Sequence, residues 1–186
     1  RPDTEVLVEE IIDEVGEENS KVIVDVGTGC GNIAASLKYY LKKCQVYAVE
    51  VDPVALRFAR RNASRLGLEI IFVQGDLLEP FLDRGPFFDV VVSNPPYIRS
   101  DLLPLLPPEV QHEPVVALDG GPDGLDVYRR LVDQARVVLK PRGILAVEIG
   151  WDQREAVTSL FARAGYVDVR VVPDLAGRDR VVAGYR

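Results

Sequence analysis

Short runs of apolar residues alternate along this chain with segments in which apolar residues recur at every third or fourth position. The short runs predict strands buried on both faces of a parallel sheet, and the periodic segments predict amphipathic helices that cover it. The predicted strands are residues 21–26, 45–50, 70–74, 88–92, 144–149, 167–172 and 180–183. Predicted helices begin near residues 3, 32, 53, 125 and 152. This alternation is typical of an α/β fold with a doubly wound sheet.

The last two predicted strands are joined only by residues 173–177, and such a short link permits an antiparallel pair. We therefore expect a mostly parallel, seven-stranded sheet with an antiparallel edge strand. Asp3 or Thr4 is expected to cap the first helix, and Gly16 is expected to end it.

The fourth strand ends abruptly at Asn94-Pro95-Pro96-Tyr97, a segment that we call the proline corner. Neither proline can donate to a β-ladder, so the corner is presented at the carboxyl end of a buried strand. Open α/β sheets bind their ligands at that edge. A carboxamide, a backbone carbonyl and an aromatic face could together bind a planar group that carries an NH2. An ordinary strand-to-loop turn is the alternative interpretation.

The first strand runs into Gly27-Thr28-Gly29-Cys30-Gly31, the glycine turn, which is followed by a predicted helix. Strand, glycine-rich turn and helix in this order are typical of a nucleotide-binding site. The glycines permit positive φ and let a ligand approach the backbone closely. Their spacing differs from that of dinucleotide-binding turns, and it favours a ligand that lies against the turn over a pyrophosphate on the helix end.

Acidic residues follow the second and third strands. Glu50 lies about 20 residues beyond the glycine turn, which is the interval expected for a carboxylate that binds ribose hydroxyls; a solvated strand end is the alternative. Asp52 precedes Pro53 and is interpreted as the cap of the next helix. Asp76 could accept a hydrogen bond from an exocyclic NH2 or could cap a local turn, and Leu77 or Leu78 could pack on an adenine ring.

Residues 98–124 form a long segment that is rich in proline and glycine and predicted to be irregular. Because it follows the proline corner, we expect it to form a wall of the substrate site. His112, the only histidine, is expected to be a surface residue rather than a catalytic base.

The composition fits one domain, and the net charge of −7 argues against a general nucleic-acid or membrane-surface binder. The two cysteines have no metal-ligand or disulfide spacing, which suits a reducing cytoplasm, and no metal is expected. No signal peptide or membrane-spanning run is recognised. The chain contains no methionine and is interpreted as part of a longer product.

Taken together, these motifs resemble class I S-adenosylmethionine-dependent methyltransferases. Asn-Pro-Pro-Tyr is typical of the branch that methylates planar NH2 nitrogens. Within it, the sequence is most similar to the release-factor glutamine N5-methyltransferases (the HemK/PrmC family). The stretches that carry this resemblance are residues 1–5, 25–31, 93–98, 113–114, 117–126, 128–129, 148–150 and 174–181.

The resemblance implies a Rossmann-like catalytic domain over residues 1–186, without the N-terminal docking domain of the family. It implies transfer of a methyl group from S-adenosylmethionine to the glutamine of Gly-Gly-Gln in class I peptide chain release factors. Asn94, Pro95 and Tyr97 would be catalytic, and Pro96 would complete the substrate site. The residues implied in cofactor binding are Gly27, Thr28, Gly29, Cys30, Gly31, Glu50, Asp76, Leu77 and Asn94.

Three other functions remain open. The same tetrapeptide occurs in adenine-N6 and guanine-N2 methyltransferases of nucleic acids, although the acidic balance argues against phosphate contacts. A catalytically silent scaffold that binds the cofactor is the second alternative, and a dinucleotide oxidoreductase is the third.

Overall fold

The computed structural model describes residues 2–112 and 114–186. Seven strands form a single sheet in the order β3-β2-β1-β4-β5-β7-β6. The strands are β1 (Val22–Val26), β2 (Gln45–Glu50), β3 (Ile71–Gln74), β4 (Phe88–Ser93), β5 (Leu139–Glu148), β6 (Val167–Pro173) and β7 (Asp179–Tyr185). The helices are α1 (Pro2–Val15), α2 (Asn32–Tyr40), α3 (Pro53–Arg65), α4 (Pro108–Gln111), α5 (Asp126–Val138) and α6 (Arg154–Arg163).

The predicted mostly parallel sheet is confirmed, and its antiparallel pairing lies at one edge. β1 to β5 pair in parallel, whereas β7 runs antiparallel between β5 and β6. β6 is therefore the edge strand on that side of the sheet and runs in the same direction as β5. The strand order reverses between β1 and β4, which is the position where doubly wound sheets bind ligands.

Hydrophobic side chains cover both faces of the sheet. On one face, α1 and α2 bury Leu7, Ile11 and Leu37 against the strands. On the other face, α5 and α6 bury Leu131 and Phe161. Because alternate residues of each central strand enter opposite clusters, the strands are apolar on both sides, as their continuous apolar runs predicted.

Two segments differ from the predictions. The fifth strand begins at Leu139 rather than at residue 144, because Leu139 pairs with Phe88 before an irregularity that includes Arg142 at φ 62°. The segment 98–124 is less irregular than predicted. It contains the short helix α4 and 3-10 turns at Ser100–Leu105 and Val115–Ala117. A further 3-10 turn at Glu79–Arg84 had no clear sequence signal.

The predicted side-chain cap of α1 by Asp3 or Thr4 lies outside the described side chains. Gly16 ends α1 as predicted, with φ 72° and a hydrogen bond from its N–H to the Ile12 carbonyl. None of the helices that the structure describes is long and apolar enough to cross a membrane.

Candidate active site

The ends of β1 and β4 bring the glycine turn and the proline corner together at the carboxyl edge of the sheet. Val26 pairs with Ser93 in the last register position, and the Ser93 hydroxyl donates to the Val26 carbonyl at 2.7 Å. A cavity of about 240 Å³ opens beside these strand ends. Its lining residues are Gly27, Thr28, Gly29, Cys30, Asn32, Ile33, Asn94, Pro95, Pro96, Tyr97, Ile98, Ala117 and Leu118.

The glycine turn presents bare backbone to this cavity. Gly27 and Gly29 have φ of 69° and 56°, and a Cβ added at either position would meet no atom within 4 Å. The N–H groups of Gly27 and Thr28 donate to the Val49 carbonyl at 2.9 and 3.0 Å, so the turn is fixed against β2. The turn therefore leaves room for a ligand directly against its backbone.

Asp25 is a fully buried carboxylate at the end of β1. Its Oδ2 accepts hydrogen bonds from the Thr28 hydroxyl at 2.5 Å and from the Ala34 N–H at 3.1 Å. Its Oδ1 has no hydrogen-bond partner among the described residues. Burial raises the pKa of Asp25 to about 7 against the opposing effect of these two hydrogen bonds. Asp25 thus joins β1, the glycine turn and α2 at one point.

Glu50 lies immediately beside the glycine turn at the carboxyl end of β2, and only 9% of it is exposed. Its two carboxylate oxygens accept from the Gly29 N–H at 2.8 Å and from the Asp52 N–H at 3.0 Å. Each oxygen keeps a second lone-pair direction for a hydroxyl donor. Asp52 caps α3 as predicted, accepting from Val54 N at 2.8 Å and Ala55 N at 3.3 Å.

Asp76 and Leu77 follow β3 on the same edge but are not among the residues that line the cavity. The Asp76 carboxylate forms an ion pair with Arg130 of α5 at 2.6 Å. This contact joins segments 54 positions apart. The sequence had suggested a hydrogen bond to an exocyclic NH2 or a cap on a local turn, and it did not indicate this ion pair. Leu77 adopts φ 48°, and the next N–H, that of Leu78, donates to Gln134 of α5 at 2.8 Å. α5 therefore holds the loop that follows β3.

Tyr97 connects the proline corner to the end of β5. Its hydroxyl donates to Oε1 of the buried Glu148 at 3.5 Å, and its backbone carbonyl accepts from Gln153 at 3.1 Å. The Glu148 backbone carbonyl accepts from the Tyr128 hydroxyl at 2.7 Å, and burial raises the pKa of Tyr128 well above its ordinary value. Pro95 is buried, whereas Asn94 and Tyr97 are partly exposed to the cavity.

The segment that follows the proline corner provides one wall of the cavity. Ile98 pairs with Asp119 in an isolated bridge, and this pairing places Ala117 and Leu118 among the lining residues. The Ser100 hydroxyl donates to Asp119 at 2.7 Å, and with the Gly121 N–H it lowers the pKa of that carboxyl. His112 is exposed and lies outside the cavity.

The structure thus brings residues 27–30 of the glycine turn and the whole proline corner to one cavity, with Glu50 bonded to Gly29. Gly31 caps α2 and is not among the lining residues. Sequence reasoning did not assign roles to Asp25, Glu148, Ser93 or Gln153. Asp25 and Glu148 had a signal, because each is a lone acid in an otherwise apolar run, at residues 22–26 and 144–149. Within the described residues, no three His, Cys, Asp or Glu side chains lie close enough together to hold a metal ion.

The sequence pattern of the methyltransferase small domain family matches residues 2–102, which include both the glycine turn and the proline corner. The chain belongs to this family. The methyltransferase domain is also 49% identical to a release factor glutamine methyltransferase of Moorella thermoacetica, over 100% of this chain and 66% of that protein. It is 43% identical to the protein of that name from Clostridium acetobutylicum, with the same coverage.

These relatives confirm the resemblance found in the sequence, and the methyltransferase domain spans about two thirds of their length. A crystal structure of a methyltransferase from Pyrococcus furiosus superposes with a TM-score of 0.69 at 19% identity, covering 97% of this chain and 82% of that one. A SAM-dependent methyltransferase from Aquifex aeolicus gives a TM-score of 0.63 at 20% identity, covering 100% and 92%. These likenesses confirm the class I methyltransferase fold.

Proposed function

We propose that this methyltransferase domain transfers a methyl group from S-adenosylmethionine to the side-chain amide nitrogen of the glutamine in the Gly-Gly-Gln motif of class I peptide chain release factors. The observation that carries the proposal is that Asn94 and Pro95 line the same cavity as residues 27–30 of the glycine turn. Identities of 49% and 43% with release factor glutamine methyltransferases over the whole chain support the choice of substrate.

The residues on the glycine-turn side fit S-adenosylmethionine. The bare backbone at Gly27 and Gly29 leaves room for the methionine part beside Thr28 and Cys30, and Glu50 presents carboxylate oxygens for ribose hydroxyls. Asp76 and Leu77, in the loop after β3, would hold the adenine ring. When bound, the cofactor supplies an electrophilic methyl group carried on a sulfonium sulfur.

The proline corner would orient the amide. An amide nitrogen is a poor nucleophile because its lone pair is delocalised into the carbonyl, so its position matters more than its intrinsic reactivity. The Asn94 side-chain oxygen and the Pro95 backbone carbonyl would each accept one N–H of the substrate NH2. Both acceptors carry partial negative charge, which favours the positive charge that develops on the nitrogen. One of the two amide protons would then pass to solvent, and S-adenosylhomocysteine would be the leaving group. Tyr97 would pack on the amide plane and exclude water, with Pro96 completing the site.

The proposal extends to the partner and the location. We propose that residues 1–186 form the catalytic domain, that the protein partner is a class I release factor, and that the reaction takes place in the cytoplasm, where release factors meet ribosomes. The cavity, which opens at the carboxyl edge of the sheet, suits a glutamine side chain presented on an exposed loop.

The test is tandem mass spectrometry of a bacterial class I release factor after incubation with this chain and isotopically labelled S-adenosylmethionine. We expect one added methyl on the glutamine of Gly-Gly-Gln and none on a release factor in which that glutamine is replaced by glutamate. Parallel arms contain DNA and ribosomal RNA. Label on nucleic acid and none on the release factor would contradict the proposal and would identify the domain as a nucleic-acid methyltransferase.

A further inference from the structure

Gln153 lies in the turn between β5 and α6, and its side chain joins three separate parts of the chain. Its Nε2 donates to the Tyr97 carbonyl and to the Gly124 carbonyl, each at 3.1 Å. Its Oε1 accepts from the Gly150 N–H at 3.0 Å. The two donated bonds span 56 and 29 positions of sequence, so this one amide connects the end of β5 to the proline corner and to the loop after it.

The chemistry of these contacts requires a carboxamide in this orientation. Two carbonyl oxygens need donors, and the NH2 group has one hydrogen for each; the backbone N–H needs an acceptor, which the amide oxygen provides. A glutamate of the same shape could still accept from Gly150. However, it would place a charged oxygen against the Tyr97 and Gly124 carbonyls.

The glycine loop (residues 120–124) packs closely against both the Tyr97 backbone and the Gln153 amide. A Cβ at Gly124, which has φ 75°, would lie 2.5 Å from the Tyr97 carbonyl oxygen and 2.8 Å from the Gln153 Nε2. A Cβ at Gly120 would lie 2.8 Å from the Tyr97 Cα. The Gly120 N–H also donates to the Ile98 carbonyl at 2.7 Å. The backbone at Tyr97 is therefore in close contact with the glycine loop and with one side-chain amide.

β4 ends at Ser93, so no β-ladder fixes the backbone of the proline corner itself. We propose that Gln153 is a positioning residue for the amide substrate. By holding the Tyr97 carbonyl against the glycine loop, it fixes the direction of the corner and hence the aim of the Asn94 side chain and the Pro95 carbonyl. Its role in turnover rests on the proposed function, whereas its role in holding the corner does not.

The test compares the 186-residue chain with its Gln153→Glu variant, and Gln45→Glu is the matched control because Gln45 is exposed at the start of β2. Hydrogen exchange is measured for two amides beside the corner: that of Ile98, which donates to the Leu118 carbonyl, and that of Gly120, which donates to the Ile98 carbonyl. Cofactor affinity is measured by calorimetry, and kcat and KM are measured for the release factor. If Gln153→Glu does not fold, Gln153→Ala replaces it, since alanine removes the same two donated bonds without adding charge.

We expect faster exchange at Ile98 and Gly120, a cofactor Kd within about twofold of the wild type, and a kcat lower by about tenfold or more, the scale on which small misplacements act. The control should match the wild type. Unchanged exchange at Ile98 and Gly120 would overturn the proposal. Equal acceleration at Gly27 and Ala34 with weakened cofactor binding would also overturn it, because Gln153 would then support the whole fold. If the wild type does not methylate the release factor, the proposed function fails and the exchange comparison still decides the role of Gln153.

Discussion

The glycine turn and the proline corner face one cavity, but they are stabilised in different ways. The glycine turn is fixed by the adjoining strand β2, through the Val49 carbonyl and Glu50, and by Asp25 of its own strand. The proline corner is fixed by Glu148 at the end of β5, the strand beside β4, and by Gln153 just after it. The glycine turn is therefore held by groups about 20 positions away in the sequence or nearer, whereas the proline corner depends on side chains 51 and 56 positions away. Substitutions at the glycine turn should therefore change cofactor binding, and substitutions at the proline corner should change turnover.

The largest effect is expected from Asn94→Ala. Loss of one positioned polar group costs about 10²–10³ in kcat. The glycine turn, Glu50 and Asp25 remain intact, so cofactor affinity should change much less than turnover. Single-turnover measurements at saturating cofactor, together with calorimetry, would test this expectation. Asn19→Ala is the control, since the Asn19 side chain bonds the Val15 carbonyl at the end of α1. Turnover equal to that of the wild type would remove Asn94 from the mechanism.

Asp25→Asn should change how stability depends on pH. The folded pKa of about 7 lies above the ordinary aspartate pKa of 3.8, so the folded state binds the proton more tightly. The free energy of unfolding should therefore fall as pH rises from about 4 to about 7 and should be level above that. Between pH 5 and pH 7 the fall should be about 2 kcal/mol. Asparagine removes this titration. Chemical denaturation at several pH values would measure both slopes.

Asp89→Asn is the matched comparison on β4. Burial raises the pKa of Asp89, but hydrogen bonds from Lys140 and Val22 and the nearby lysine charges outweigh it and lower the pKa. Its stabilising contribution is therefore present above the unfolded pKa and is lost at more acidic pH, outside the window of Asp25. Equal pH slopes for the wild type and Asp25→Asn between pH 5 and pH 7 would contradict the raised pKa of Asp25.

Glu50→Gln should weaken cofactor binding and leave the structure of the proline corner unchanged. A carboxamide has one acceptor oxygen where the structure needs acceptors for both Gly29 and Asp52. A hydrogen bond to a charged group contributes about 1.5–3 kcal/mol, so the cofactor Kd should rise by about tenfold or more. kcat at saturating cofactor should stay close to that of the wild type. Calorimetry decides, and the exposed Glu69→Gln is the control. A lower kcat with an unchanged cofactor Kd would contradict this prediction, because Glu50 would then act on turnover rather than on cofactor binding.

Arg130→Ala should have the smallest effect. Its ion pair with Asp76 joins side chains that are 47% and 43% exposed, and exposed pairs contribute about 0.2–1 kcal/mol. The cofactor Kd should therefore change by less than about fivefold, again measured by calorimetry beside the exposed Arg61→Ala. A larger loss would mean that the loop after β3 depends on this ion pair more than on the bond between Leu78 and Gln134.

The same difference explains what could be predicted from the sequence. Asp52 as a helix cap and the ends of β2 and β4 follow from rules that act over a few residues, and each is confirmed. The glycine turn was likewise recognisable from its own spacing. The predicted binding and catalytic roles of these residues remain to be tested.

The remaining contacts depend on tertiary structure. Gln153 gave no signal, because its partners at Tyr97 and Gly124 come near only when the sheet has formed. The ion pair between Asp76 and Arg130 was hidden for the same reason. The early start of β5 at Leu139 depends on pairing with Phe88, and the proline and glycine that follow in the sequence indicated a turn there.

The register of β1 and β4 has a consequence for redesign. Val26 and Ser93 are paired and also joined by the serine hydroxyl, so the bases of the glycine turn and the proline corner are held at a fixed spacing. The wall at Ile98, Ala117 and Leu118 belongs to a segment outside the sheet. A new acceptor substrate would therefore be accommodated by rebuilding that segment while the two strand ends are kept, and grafting experiments should leave residues 26 and 93 untouched.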